Sequence, residues 1–122
     1  MSHPAPAPVR EVEFSPPQKI GNKRKVFVIP GTVHLAYPEP AKSVQWRNNT
    51  GGRVWIWLAN LRDVLEPPPG VDLSKPIPID HGDDLVIGVK DTKGVFLKDY
   101  PVYCDVISDY GDGDSSPHMG CP

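Results

Sequence analysis

The stretch SVQWRNNTGGRVWIWLAN, residues 43–60, decides how this chain folds. Over SVQWRN, Val44 and Trp46 alternate with Gln45 and Arg47, the period of two that turns one side of a strand to a core and the other to water. Five turn-forming residues, NNTGG, lead straight into RVWIWLAN, so the pair predicts a hairpin. Its second strand is apolar on both faces, which places it centrally in a sheet or beneath other structure. If Val54, Ile56 and Leu58 face the core, Trp55 and Trp57 face the other way. There they are expected to be covered by the segment 61–69; left exposed, they are the natural partner-binding surface. Asn48-Asn49-Thr50 also spells a glycosylation acceptor, but without a secretory signal it reads as part of the turn.

Outward from this hairpin the same rules apply. VREVEF, residues 9–14, is a mostly alternating first strand, expected at a sheet edge, and KVFVIPG, residues 25–31, is a buried strand entering a Pro-Gly turn. NLRDVLEPPPG offers Asn60 as an N-cap, Leu61, Val64 and Leu65 on one face and three prolines as a stop, which predicts one short helix. The proline-spaced VDLSKPIPIDHGDD predicts a loop or ragged edge, with His81, like His34, in a turn. DDLVIGVKD and VFLKDYPVYCDVI supply the remaining strands. About seven strands, one helical insertion and no βαβ alternation give an all-β chain folded as a single antiparallel sandwich. Period-two placement nominates Val26, Val28, Val44, Trp46, Ile56, Leu85, Ile87 and Tyr103 for its core.

At 122 residues the chain has room for one core. The 16 prolines and 11 glycines favour short strands joined by turns. Residues 1–8, with alternating proline and alanine, read as a flexible arm, and residues 9–122 as the domain. The 13 basic and 15 acidic side chains leave a net charge of -2, so no nucleic-acid or membrane partner is expected. The basic run KIGNKRK has no interleaved aromatic residue and reads as a solvated hairpin. No stretch approaches the roughly 20 apolar residues that span a bilayer, and the amino terminus lacks a secretory pattern, so the expected compartment is the cytoplasm. There is no Ser-His-Asp order, phosphate loop, Cys-x-x-Cys or His-Glu-x-x-His, and an enzyme is not expected.

The chain's end, YCDVISDYGDGDSSPHMGC, raises a metal question, because thiolate, imidazole and thioether are copper ligands. Its aspartates do not make an EF-hand: counting from Asp109, the twelfth position, which needs a bidentate glutamate, is Gly120. Together, VQWRNNTGGRVWI and VYCDVISDYGDGDSSPHM resemble the two signature regions of the cupredoxins, the blue-copper family. Val44, Trp46, Asn48, Tyr103 and Cys104 carry the resemblance, which covers about the last two-thirds of the chain. It implies a Greek-key β-sandwich. It also implies a first copper-binding histidine where this chain has Gly52 and Arg53, and a second soon after Cys104, where it has Asp105 to Asp109. The expectation is therefore a cupredoxin-like module without a type 1 copper site, needing no cofactor and serving a binding or structural role toward a protein partner or a second copy. Cys104 is then a buried small hydrophobe. The alternative is a mononuclear copper or other metal-binding electron-transfer protein using Cys104 with His118, Met119, Cys121 or the aspartates.

Overall fold

The computed structural model describes residues 9–36, 39–90, 96–111 and 117–120. The arm 1–8, Cys121 and residues 112–116 of the acidic loop lie outside them. In chain order the strands are β1 (Val9–Phe14), β2 (Gln18–Ile20), β3 (Lys23–Lys25), β4 (Val28–Ile29), β5 (Thr32–His34), β6 (Ser43–Asn48) and β7 (Val54–Ile56). After a 3-10 turn at Ala59–Leu61 follow β8 (Leu65–Glu66), β9 (Ile77–Ile79), β10 (Asp84–Val89), β11 (Lys98–Asp99), β12 (Val102–Cys104), β13 (Asp109–Tyr110) and β14 (His118–Gly120). The described residues are thus all β, in more and shorter pieces than the hydrophobic runs imply. Pro101 divides the run 95–107, whereas the run 25–31 parts at Val26 and Phe27 with neither proline nor glycine at the break. None of their helices is long and apolar enough to cross a membrane.

A five-stranded sheet has the order β4-β1-β6-β10-β8 and a four-stranded sheet the order β13-β12-β7-β9. A three-stranded sheet, β11-β14-β5, and the hairpin β2-β3 complete the set. Most pairings are antiparallel, but β1 runs parallel to β6, with Val12 opposite Trp46, and β14 runs parallel to β5. The first strand is therefore inside its sheet, where Val12 and Phe14 are buried, and the edge position expected for it is corrected. His34 lies in strand β5 rather than in a turn, while His81 is in a turn as expected. The basic run forms the hairpin β2-β3, turning at Gly21 with φ of 63°.

One hydrophobic cluster draws on three of the sheets: Val12, Phe14, Val44, Trp46 and Ile87 from the first, Val54, Ile56, Ile77, Ile79, Val102 and Cys104 from the second, and Val33 and Met119 from the third. Each large side chain removed from water there stabilises the fold by about 1.5–3 kcal/mol before entropy is counted. Trp46 meets Tyr100 edge to face, with centroids 6.1 Å apart. Leu85 is half-buried against the cluster rather than within it. Tyr103 is not in the core: its neighbours Val102 and Cys104 point inward, so the strand's alternation turns Tyr103 outward.

The helix expected after Asn60 is only the 3-10 turn, flanked by Leu58 without a side-chain cap; Asn60 instead donates from Nδ2 to the Asp99 carbonyl at 3.2 Å. Leu61, Val64 and Leu65 are buried as a trio all the same. Pairing of Leu65 and Glu66 with Val89 and Gly88 holds the chain extended where a helix would have to continue. Among the described residues Gly120 permits the closest backbone approach, since a Cβ there would lie 2.5 Å from the Phe96 carbonyl oxygen and 2.8 Å from the Leu97 Cα.

Candidate binding face

The two strands of residues 43–60 do not pair as the expected hairpin: β6 lies in the five-stranded sheet and β7 in the four-stranded one. NNTGG thus carries the chain from one sheet to the other, and it is β7 that builds the most distinctive surface. In the four-stranded sheet, Val54 and Ile56 point into the core, which leaves Trp55 on the outer side. The register sets Trp55 opposite Tyr103 on β12 and Pro78 on β9, and Tyr103 opposite Tyr110 on β13. A single cross-strand row therefore reads Tyr110, Tyr103, Trp55, Pro78. Its rings are in contact: Trp55 and Tyr103 have centroids 6.0 Å apart at 55°, and Tyr103 and Tyr110 are 5.4 Å apart at 82°. Trp57 joins from just past the end of β7, 6.2 Å from Tyr110 and tilted 45° to it. Such pairs add about 0.5–1.5 kcal/mol each beyond their burial, so the row is held in place by its own members.

At one end of the row the Arg53 guanidinium lies over the Trp55 ring, 5.9 Å from its centroid. Arg53 Nε donates to Asp80 Oδ1 at 2.6 Å, and this bond, with the charge of Asp80, raises the guanidinium's pKa still further. At the other end an open groove of about 370 Å³ is lined by Trp57, Ala59, Asn60, Pro101 and Tyr110. Trp55, Trp57 and Tyr103 are half-buried and Tyr110 is 47% exposed. Of the segment 61–69, Leu61, Val64 and Leu65 are buried in the core and Pro67 and Pro68 are half-buried, while both tryptophans keep part of their surface open.

The opposite outer face, on the five-stranded sheet, is of another kind. Glu13, Arg47 and Asp84 stand in one row, Arg47 Nε lies 3.7 Å from Asp84 Oδ1, and Gln45 donates to Asp84 at 2.8 Å. Asn49 donates to Glu13 at 2.7 Å. Between these polar pairs the face also exposes apolar side chains, Ile29 opposite Glu13 at 55% and Val86 opposite Gln45 at 50%, but none of its side chains are packed ring on ring as those of the aromatic row are.

The turn that launches β7 is fixed from inside by Asn48, 1% exposed. Its Nδ2 donates to the carbonyls of Gly52 at 2.8 Å and Ile79 at 2.7 Å, and its Oδ1 accepts from the amide of Thr50 at 2.9 Å and the hydroxyl of Thr50 at 2.7 Å. An amide so engaged is closed to glycosylation in the folded chain.

The residues present do not fit a type 1 copper ion. Beside Asn48, where the resemblance asks for a histidine, a Cβ on Gly52 would meet Asp105 Oδ1 at 2.2 Å and Val106 Cγ1 at 2.5 Å. The Asp105 amide donates to the Arg53 carbonyl at 3.1 Å, drawing the two loops together. Cys104 is buried in β12 between Val54 and Asp109, while His118 and Met119 belong to another sheet. On β14 those two alternate, Met119 wholly buried and His118 half-buried. Among the described residues no three His, Cys, Asp or Glu side chains gather as a metal-binding group.

Trp55 and Trp57, nominated from the sequence, are thus brought together with Tyr103, Tyr110 and Pro78, which sequence reasoning missed. The missed signal was the alternation in YPVYC: a buried Cys104 requires an outward Tyr103. Comparison of the chain with family models, curated proteins and solved structures finds no match.

Proposed function

We propose that the chain is a non-catalytic, cupredoxin-like β-sandwich module without a type 1 copper site, and that it binds a protein partner through the outer face of Trp55, Trp57, Tyr103 and Tyr110. One observation carries this reading. Four aromatic side chains, Trp55, Tyr103 and Tyr110 in one cross-strand row and Trp57 beside it, are packed ring on ring over the outer side of one sheet and left part-exposed. Aromatic side chains supply large rigid contact area at small entropic cost, which is why they concentrate at the centres of protein interfaces. The closed approach of Gly52 to Asp105 and Val106 supports a copper-free role, because it leaves no room for a side chain at position 52, where the resemblance asks for a ligand.

The test is a photocrosslinking residue introduced in cells, at Tyr110 in one variant and at Glu11 on the opposite outer face in another. A discrete adduct from the Tyr110 position and none from Glu11 is expected. Equal labelling at both, or labelling at Glu11 alone, overturns the assignment.

A further inference from the structure

The turn that leads into β7 is fastened from outside as well as from within. His81, in the turn between β9 and β10, accepts a hydrogen bond at Nδ1 from the Gly51 amide at 3.0 Å. A neutral imidazole has one donor nitrogen and one acceptor, whereas an imidazolium has two donors. Nδ1 can therefore accept only while the ring is neutral and carries its proton on Nε2. A second proton, placed on Nδ1, would face the Gly51 N–H donor to donor, and the bond is then lost. Histidine is the side chain whose charge changes between about pH 5 and pH 8, so this bond forms or breaks with modest changes of acidity.

Two neighbouring bonds do not share that sensitivity. The Gly82 amide donates to the Asn48 carbonyl at 2.8 Å, and the Asn48 amide donates to the Asp83 carbonyl at 3.2 Å. They hold the two turns together whatever the charge on His81. Gly51 is exposed, has φ of 92° and carries no side chain to anchor it, so the corner it forms is the part that protonation frees. Most charged groups on the elements that meet here are already paired. Asp80 accepts from Arg53 at 2.6 Å, Asp84 accepts from Gln45 and lies 3.7 Å from Arg47, and Glu13 accepts from Asn49 at 2.7 Å. Asp105, against Gly52, and Asp83, on the same turn as His81, complete the set. The other described histidines, His34 and His118, belong to the three-stranded sheet.

We propose that His81 is a pH-sensitive latch: its neutral ring pins the Gly51 corner of the turn that carries the chain between the two large sheets, and protonation releases that corner. The inference rests on this junction alone and not on the aromatic face being a binding surface.

The test is nuclear magnetic resonance on the full, isotopically labelled chain as the solution is taken from about pH 8 to about pH 5. At the upper end a coupling through the hydrogen bond should join the Gly51 amide nitrogen to His81 Nδ1, and at the lower end it should be absent. Between them the Gly51 amide signal should move with the same midpoint as the His81 ring signals. His81→Asn sets an amide oxygen near the place of Nδ1, an acceptor at every pH, and should keep the Gly51 signal near its high-pH position throughout. His81→Ala removes the acceptor and should keep it near its low-pH position. A Gly51 signal that does not follow the His81 ring, or one that titrates alike in the unsubstituted chain and in both variants, overturns the inference.

Discussion

Replacing Asn48 gives a two-sided test of what holds the site in shape. Its side chain makes two donated and two accepted hydrogen bonds while almost wholly buried. At a net ~0.5–1.5 kcal/mol each, and with some relaxation, their loss in Asn48→Ala should cost about 2–5 kcal/mol. Asn48→Asp is the sharper comparison, being nearly the same shape. It keeps the oxygen that accepts from Thr50 but turns the other terminal atom into a second acceptor, facing the carbonyl oxygens of Gly52 and Ile79 at hydrogen-bonding distance. A buried carboxylate so opposed should cost more than alanine at neutral pH. The deficit should shrink in acid, because a protonated carboxyl can donate to one of those carbonyls. Urea unfolding followed by tryptophan emission measures both, with an unchanged denaturant slope certifying a change in stability alone. The reasoning is refuted if Asn48→Ala costs less than about 1 kcal/mol, or if Asn48→Asp is no worse than Asn48→Ala at neutral pH.

Leu61→Ala should destabilise by about 2–5 kcal/mol, the range for emptying a packed leucine site, whereas Trp57→Ala on the outer face should cost much less in the same unfolding assay. Gly120→Ala should cost about 1–3 kcal/mol and expose amides of β14 to hydrogen exchange, since backbone atoms of residues 96 and 97 stand where the methyl must go. Asp72 accepts from the amide of Ser74 at 2.9 Å and its hydroxyl at 2.6 Å, the hydroxyl bond first among the causes that hold its carboxyl below the ordinary value. A depressed carboxyl lends stability above the ordinary aspartate pKa that is lost as pH falls through the folded-state value. Ser74→Ala should therefore raise the titration midpoint of the Asp72 carboxyl carbon, read by nuclear magnetic resonance, without restoring it fully; an unmoved midpoint contradicts the assignment.

The parts of the fold governed by local alternation were legible in the sequence. Val44 and Trp46, Val54 and Ile56, and Val12 and Phe14 are inward where the period of two places them. Burial was legible even where conformation was not: Leu61, Val64 and Leu65 are core residues of a 3-10 turn and a short strand, not of a helix, because strand β10 competes for that backbone. What escaped were features set by partners distant in sequence. The parallel pairing of β1 with β6 unites residues more than thirty positions apart, and nothing in VREVEF specifies it. The aromatic row needs the registers of β7, β9, β12 and β13 together, so Pro78 and Tyr110 acquire their place only from tertiary pairing.

The absorption spectrum of the purified protein titrated with Cu(II), read beside its elemental copper content, decides between the proposed binding module and a copper electron carrier. A type 1 site would show intense thiolate-to-copper charge transfer with stoichiometric metal. The geometry around Gly52, Cys104 and Asp105 predicts neither. An intense band with one copper per chain, lost in both Cys104→Ser and His118→Ala, would instead make Cys104 and His118 ligands of a copper electron carrier.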